Sequence, residues 1–216
     1  MVTRWLYLHG LGSGPESAKG LAFAAHLARR GVHVERLNLR VPSFRELRLS
    51  AMIEVVRAAI GGPDDRAVVL GSSLGGLTAA RAAAADPRIR GLVLFAPAFG
   101  FGDWRARNPV HARAWERKGW LGMTDHTTGE LVPVGVGFLH DVESFGPDVP
   151  PADVPTLVVH GRQDEVVPIA GSRAWVPRCR DARLVEVDDG HELRESIPRL
   201  LDESDRFFAA QGWIGA

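Results

Sequence analysis

The residues with the clearest capacity for chemistry are Gly71-Ser72-Ser73-Leu74-Gly75. They form a G-x-S-x-G pattern centred on Ser73, between an apolar run (67–70) and an alanine-rich stretch that reads as helix. That spacing suits a nucleophile held in a tight strand-to-helix turn, where small flanking residues let strand and helix approach each other. Ser72 cannot take the central place without shifting the glycine frame, and it is read as a support for the turn.

A serine hydroxyl is a weak nucleophile until a base removes its proton and an acid orients that base. In the chain order serine, acid, histidine, the acid should follow a later strand. The segment TLVVHGRQDEVVP (156–168) places Asp164 just beyond an apolar run, and LVEVDDGHELRE (184–195) places His191 just beyond the next. Ser73 is therefore expected as nucleophile, His191 as general base and acid, and Asp164 as the orienting carboxylate. Asp188 and Asp189 lie too close to His191 in sequence to orient its ring and are read as loop or capping residues. Asp103, after the fourth strand, is a rival acid. Glu165 is expected to face solvent, and His9 and His160, each before a glycine at a strand end, are expected to be hydrogen-bonded structural residues.

Acyl transfer also needs donors for the oxyanion. One is expected from the Leu74 N–H, next to the nucleophile. The other is expected from the glycine-rich loop LHGLGSGP (8–15), where the Leu11 N–H is the first choice and Gly12 the second. This loop is not a nucleotide cradle: Gly10 and Gly12 begin G-x-G-x-x-G, but Pro15 occupies the third glycine position. No G-K-[ST] occurs for a phosphate-binding loop. His26, His33, His111, His126 and His140 show no zinc-ligand spacing, so neither metal nor cofactor is expected.

These residues need a frame that brings strand ends together. Six apolar runs (4–9, 32–39, 67–72, 91–96, 155–161, 182–187) read as strands, most of them continuously apolar and so covered on both faces. Helical stretches at 15–31, 43–62, 74–86 and 192–212 lie between them, the last with Pro198 as a kink or restart. Strand–helix alternation predicts an α/β fold with a six-stranded parallel sheet and helices on both faces. The whole chain reads as one domain, and residues 97–154 form a lid or cap insertion between the fourth and fifth strands. The proline- and glycine-rich second half of that insertion does not read as regular core. Trp104, Trp115 and Trp120 within it, with Phe95, Phe99 and Phe101, are expected to line a substrate pocket, the alternative being that these aromatics pack the lid to the sheet. Arg105, Arg107, Arg113, Arg117 and Lys118 outnumber Asp103 and Glu116 there, which fits a solvated helical face or an anionic contact.

Composition narrows the partners. Lys+Arg and Asp+Glu are equal at 26 each, so no overall field draws the chain to nucleic acid or an anionic membrane. Cys179 is the one cysteine, which excludes an internal disulfide and is read as inert. The opening MVTRWLYLHG is too short an apolar stretch for a secretory signal, and no segment is long enough to span a bilayer. A cytoplasmic enzyme acting on a small molecule is the expectation.

With Ser73, Asp164, His191 and the His9-Gly10 loop in place, the chain resembles the α/β-hydrolases over essentially its whole length. LYLHGLGSGPESAKG, LGSSLGG and DDGHEL resemble the corresponding segments of the small YqiA-like esterases. The insertion is also similar to that of small acyl-protein thioesterases and acyl-glucuronide esterases. The resemblance implies a serine hydrolase of carboxylic esters or thioesters, without metal or cofactor. C–C bond hydrolases and peptidases share the same triad, and a non-catalytic ligand-binding role remains the alternative of a different class.

Overall fold

The computed structural model describes residues 3–215. Six strands, β1 (Thr3–Leu8), β2 (Val34–Leu37), β3 (Arg66–Ser72), β4 (Ile89–Phe95), β7 (Thr156–Gly161) and β8 (Ala182–Val187), build one sheet in the order β2-β1-β3-β4-β7-β8. Every pairing in it is parallel. Because side chains alternate along a strand, the apolar runs feed two cores. Leu6, Leu8, Val69, Leu92, Leu94 and Val158 face α2 (Leu49–Ile60), α3 (Leu74–Ala85) and the insertion. Trp5, Tyr7, Val68, Leu70, Val93 and Phe95 face α1 (Ala18–Ala28) and α8 (Ile197–Ala210).

Helix starts follow local chemistry. The expected helix at 15–31 begins only after Ser17, whose side chain accepts the Gly20 N–H at 3.3 Å and so caps α1. The expected 43–62 helix is shortened to α2, because residues 43–48 form a loop in which Arg48 N–H donates to Val41 O. Pro198 neither kinks nor restarts α8; it sits in the first turn, where its missing N–H has no helical partner to lose.

The insertion departs most from the sequence expectation. It carries α4 (Trp104–Arg107), α5 (Pro109–Lys118), a hairpin of β5 (Trp120–Thr124) and β6 (Leu131–Gly135), and α6 (Gly137–Ser144). Its second half carries β6 and α6 between loops, and Phe138, Leu139 and Val142 of α6 are fully or almost fully buried in the core shared with α2 and α3. Pro133 is tolerated within β6 because the hairpin has only two strands, so one side of each needs no ladder donor.

Close contact between β1, β3 and α3 needs glycine. A Cβ on Gly71 would lie 2.5 Å from Gly75 O, and one on Gly75 would overlap the Leu8 carbonyl, 2.6 Å from its carbon. Both obstacles are backbone, which cannot move aside cheaply. Gly75→Ala is therefore expected to destabilise by about 3 kcal/mol, lowering Tm by roughly 6–12 °C for a chain of this size. Thermal melting checks this, and a shift within about 2 °C would contradict the tight strand–helix contact.

Candidate active site

The elbow between β3 and α3 sets Ser73 at φ 54° and ψ −115°, a positive-φ conformation that non-glycine residues rarely adopt. The turn is held from both sides. Ser73 N–H donates to Phe95 O at 2.9 Å, and Ser73 O accepts from Ala98 N at 3.0 Å and Leu77 N at 3.1 Å. Strain fixed by its surroundings is what aims a nucleophile out of a turn.

Three side chains converge here from the ends of three strands. Ser73 Oγ lies 3.0 Å from His191 Nε2, and His191 Nδ1 lies 2.8 Å from Asp164 Oδ2. The Asp164 side chain is fully buried, and its Oδ1 accepts the N–H groups of Val166 at 2.9 Å and Val167 at 2.7 Å. Burial alone would raise its pKa, but hydrogen bonds from His160, His191 and the Val167 N–H outweigh it and hold the carboxyl well below the usual range. Asp164 is thus an anion aimed at the imidazole of His191.

His160 is a neighbour that sequence reading did not connect to this chain. Its ring is completely buried, with Nε2 3.1 Å from Asp164 Oδ2 and 2.9 Å from Val167 O, and Nδ1 2.8 Å from Ser172 Oγ. With Nε2 carrying the proton and Nδ1 accepting from Ser172, every polar atom of the ring is used. The signal was present as H-G-R-Q-D, a histidine in the last two residues of β7 and four residues before the acid. His9 is structural as expected: its Nδ1–H donates to Gly10 O and its Nε2 accepts the Leu39 N–H.

The rival acids have other tasks. Asp189 accepts the N–H groups of Gly190 and Ser196, Asp188 pairs with Arg162, and Asp103 and Glu165 are exposed. Cys179 lies away from this site, half-buried, and burial pushes its thiol pKa up, away from the reactive thiolate.

Above Ser73 opens a cavity of about 820 Å³ that Ser73, His191, Leu74 and Leu11 all line. Leu74 is the first residue of α3, so its N–H has no helical acceptor. Leu11 occupies a turn closed by Ser13 N–H to Gly10 O at 3.1 Å, with Gly12 at φ 74°. Neither N–H is taken by a backbone acceptor among the described residues.

One part of the wall is apolar, where Phe101, Trp104, Leu121, Met123, Val167 and Ile197 face the cavity. Of the expected pocket residues Trp104 and Phe101 are there, whereas Phe95 and Phe99 are buried in the core and Trp115 and Trp120 also require correction. Trp115 is completely buried beneath the cavity wall, edge-on to the Trp104 ring at 5.6 Å, with its indole N–H donating to Val134 O. It is drawn inward because α5 packs its apolar face on the hairpin. Trp120 is 42% exposed on the outer face of β5, with Lys118 over its ring. The alternation along β5 turns Leu121 and Met123 into the cavity instead. The basic residues of α4 and α5 are partly spent on ion pairs, since Arg105 binds both Glu143 and Glu116.

The hairpin is also tied to the Leu11 loop. Arg40 donates to both oxygens of Asp125, at 2.9 and 2.6 Å, and to Ser13 O at 3.0 Å, while His126 N–H donates to Gly12 O at 2.7 Å. The Arg40 guanidinium lowers the Asp125 pKa to about 2. A carboxyl lowered on folding stabilises fully above its ordinary range and loses that contribution as pH falls towards its folded value. Asp125→Asn should thus melt lower than wild type at pH 7, by about 2 kcal/mol, with the gap closing between pH 4 and 2. A gap independent of pH would contradict the ion pair.

Among the described residues no helix is long and apolar enough to cross a membrane, and no cluster of three or more His, Cys, Asp or Glu could hold a metal ion.

A family profile described as Uncharacterised protein family (UPF0227) matches residues 4–203. No curated protein matches the chain. Among solved structures, Est1E from Butyrivibrio proteoclasticus superposes with a TM-score of 0.81 at 20% identity, covering 97% of this chain and 88% of that one. Alpha/beta hydrolase domain-containing protein 10 from mouse gives 0.78 at 19% identity, with 96% and 90% covered. A structure from the metagenome-derived lipolytic enzymes LipS and LipT gives 0.73 at 19%, with 96% and 94% covered. At these identities the likeness establishes the fold, which is that of the α/β hydrolases.

Proposed function

Since the chain belongs to the uncharacterised protein family UPF0227 and has the α/β-hydrolase fold, we propose that it is a serine hydrolase cleaving carboxylic esters or thioesters of small acyl substrates. The observation that carries this reading is the unbroken hydrogen-bonded chain Ser73–His191–Asp164 at the floor of a cavity with one apolar wall.

Each residue has one role. His191 Nε2 takes the proton of Ser73 as its oxygen attacks the acyl carbonyl, and the anionic Asp164 stabilises the imidazolium without itself accepting the proton. The N–H groups of Leu11 and Leu74 stabilise the oxyanion, each lowering the barrier by about 3 kcal/mol. As the tetrahedral species collapses, the carbon–oxygen or carbon–sulfur bond to the leaving group breaks and His191 returns the proton to it. Water then attacks the acyl-enzyme with His191 again as base, which frees the acid and restores Ser73. Trp104, Phe101, Leu121 and Met123 hold the apolar part of the substrate, and residues 97–154 act as the cap over the sheet.

The test is hydrolysis of 4-nitrophenyl esters from acetate to palmitate by wild type and by Ser73→Ala. Turnover that depends on Ser73 supports the reading, and the optimal chain length measures the cavity. Folded wild type with no turnover above the variant on any ester or thioester would refute it and favour a binding role.

A further inference from the structure

One charged group in the cavity is unexplained by ester cleavage alone. Lys19 is 8% exposed, yet it lines the same cavity as Ser73 and His191. Its hydrogen-bond partner among the described residues is uncharged: Nζ donates to the main-chain oxygen of Glu192, the residue after His191, at 2.5 Å. Lysine carries three N–H donors, so two remain for another acceptor. Glu192, Asp189 and Asp164 act on the ammonium only through space, and Arg194 opposes it. Asp164 already serves two histidines, Asp189 caps two N–H groups, and the Glu192 side chain is exposed.

Two effects disfavour a cation in this position. Lysine is rarely this buried without a counter-charge, because removing an ammonium from water is costly. Lys19 is also the second residue of α1, at the end of the helix where the backbone dipole favours an anion over a cation. An anion supplied by a ligand resolves both.

The surroundings fit such a ligand. Tyr7, Ser17 and Ser72 line the cavity beside Lys19, and Ser17 Oγ lies 3.5 Å from the Tyr7 hydroxyl. Burial pushes the Tyr7 phenol up to about 12, so it stays a neutral hydrogen-bond donor. Arg107 and Arg194 add two more cations to the lining; the Arg107 guanidinium donates to Gly100 O, and neither forms an ion pair among the described residues. The acids in the lining are Glu16, which pairs with Arg36, and Glu192.

We propose that Lys19, with the hydroxyls of Tyr7, Ser17 and Ser72, forms an anion subsite next to the catalytic serine, and that the substrates are esters or thioesters bearing a carboxylate or phosphate. This rests on the serine-hydrolase reading and narrows it to a substrate class. Lys19 recognises the charge; it takes no part in the acyl transfer.

The experiment compares charged and neutral esters, with each kcat/KM divided by the rate of the same ester with hydroxide. Mono-(4-nitrophenyl) glutarate against 4-nitrophenyl pentanoate places the charge on the acyl side. The anion 4-(butanoyloxy)benzoate against its methyl ester places it on the leaving group. In one pair wild type should prefer the anion by about 30-fold, the scale of one charge-assisted hydrogen bond. That ratio should collapse in Lys19→Met and partly survive in Lys19→Arg. Free glutarate should inhibit wild-type hydrolysis of the neutral ester competitively and neutral glutaramide should not, which holds even if Lys19→Met does not fold. Ser73-dependent turnover without a charge preference in either pair overturns the subsite and leaves the hydrolase intact. A preference that persists in Lys19→Met overturns the role of Lys19. No Ser73-dependent turnover on any of the four esters overturns both.

Discussion

Replacing Ser73 by alanine should lower kcat on an activated ester by about four to six orders of magnitude, the range found when the nucleophile of a triad hydrolase is removed. In the proposed mechanism the loss is this large because Ser73 Oγ forms the acyl-enzyme. Ser72, one residue away, cannot substitute: its hydroxyl hydrogen-bonds the Tyr7 phenol, whereas His191 Nε2 faces Ser73 Oγ. The variant should keep its fold, since the elbow is held by the main-chain bonds of Ser73 to Phe95, Ala98 and Leu77, which alanine can also make. Alanine at φ 54° is strained no more than serine. A folded variant retaining more than about one hundredth of wild-type kcat would mean that the reaction bypasses Ser73. A covalent acyl adduct, seen by mass spectrometry at Ser73 in wild type and absent from the variant, gives an independent readout.

The elements that position this serine were legible because each carries a local signal. The elbow is legible in Gly71 and Gly75, whose spacing is imposed by contacts with Gly75 O and the Leu8 carbonyl. Asp164 and His191 were legible because parallel strands end in loops at one edge of the sheet, so residues just after β7 and β8 must meet those after β3. The insertion was not legible for the opposite reason. Its hairpin is fixed by Arg40 and Asp125, 85 positions apart, and its packing by the burial of Phe138 and Leu139 against helices from elsewhere in the chain. No local pattern separates Trp115, which supports the wall from behind, from Trp104, which forms it. Lys19 was hidden in the same way, because the carbonyl it binds lies 173 positions along the chain. Local turn chemistry thus marked the residues that meet at the elbow, whereas the walls of the cavity above it depend on long-range packing.

Asp164→Asn should cost about 10⁴-fold in kcat, although it removes no atom from the framework, and the reason lies in how the carboxylate is used. Oδ1 accepts two main-chain N–H groups, from Val166 and Val167, so in the variant the amide oxygen must stay on that side. The amide NH₂ then takes the place of Oδ2, facing His191 Nδ1 and His160 Nε2. Two donors cannot share a proton, so His191 must turn its unprotonated nitrogen to the amide and carry its hydrogen on Nε2. That nitrogen faces Ser73 at 3.0 Å, and with a hydrogen already on it His191 cannot act as base. His160 offers no escape, because its Nε2–H would also point at the NH₂ while Ser172 holds its other nitrogen. Substrate binding does not require the carboxylate, so the loss should fall on kcat and leave KM within about threefold, as for an interaction made only in the transition state. Asp164→Ala tests the same logic from the other side: it removes the orienting group without enforcing the wrong tautomer. A folded Asp164→Asn enzyme within tenfold of wild type would show that His191 does not depend on Asp164 for its tautomer, and the triad assignment would fall with it.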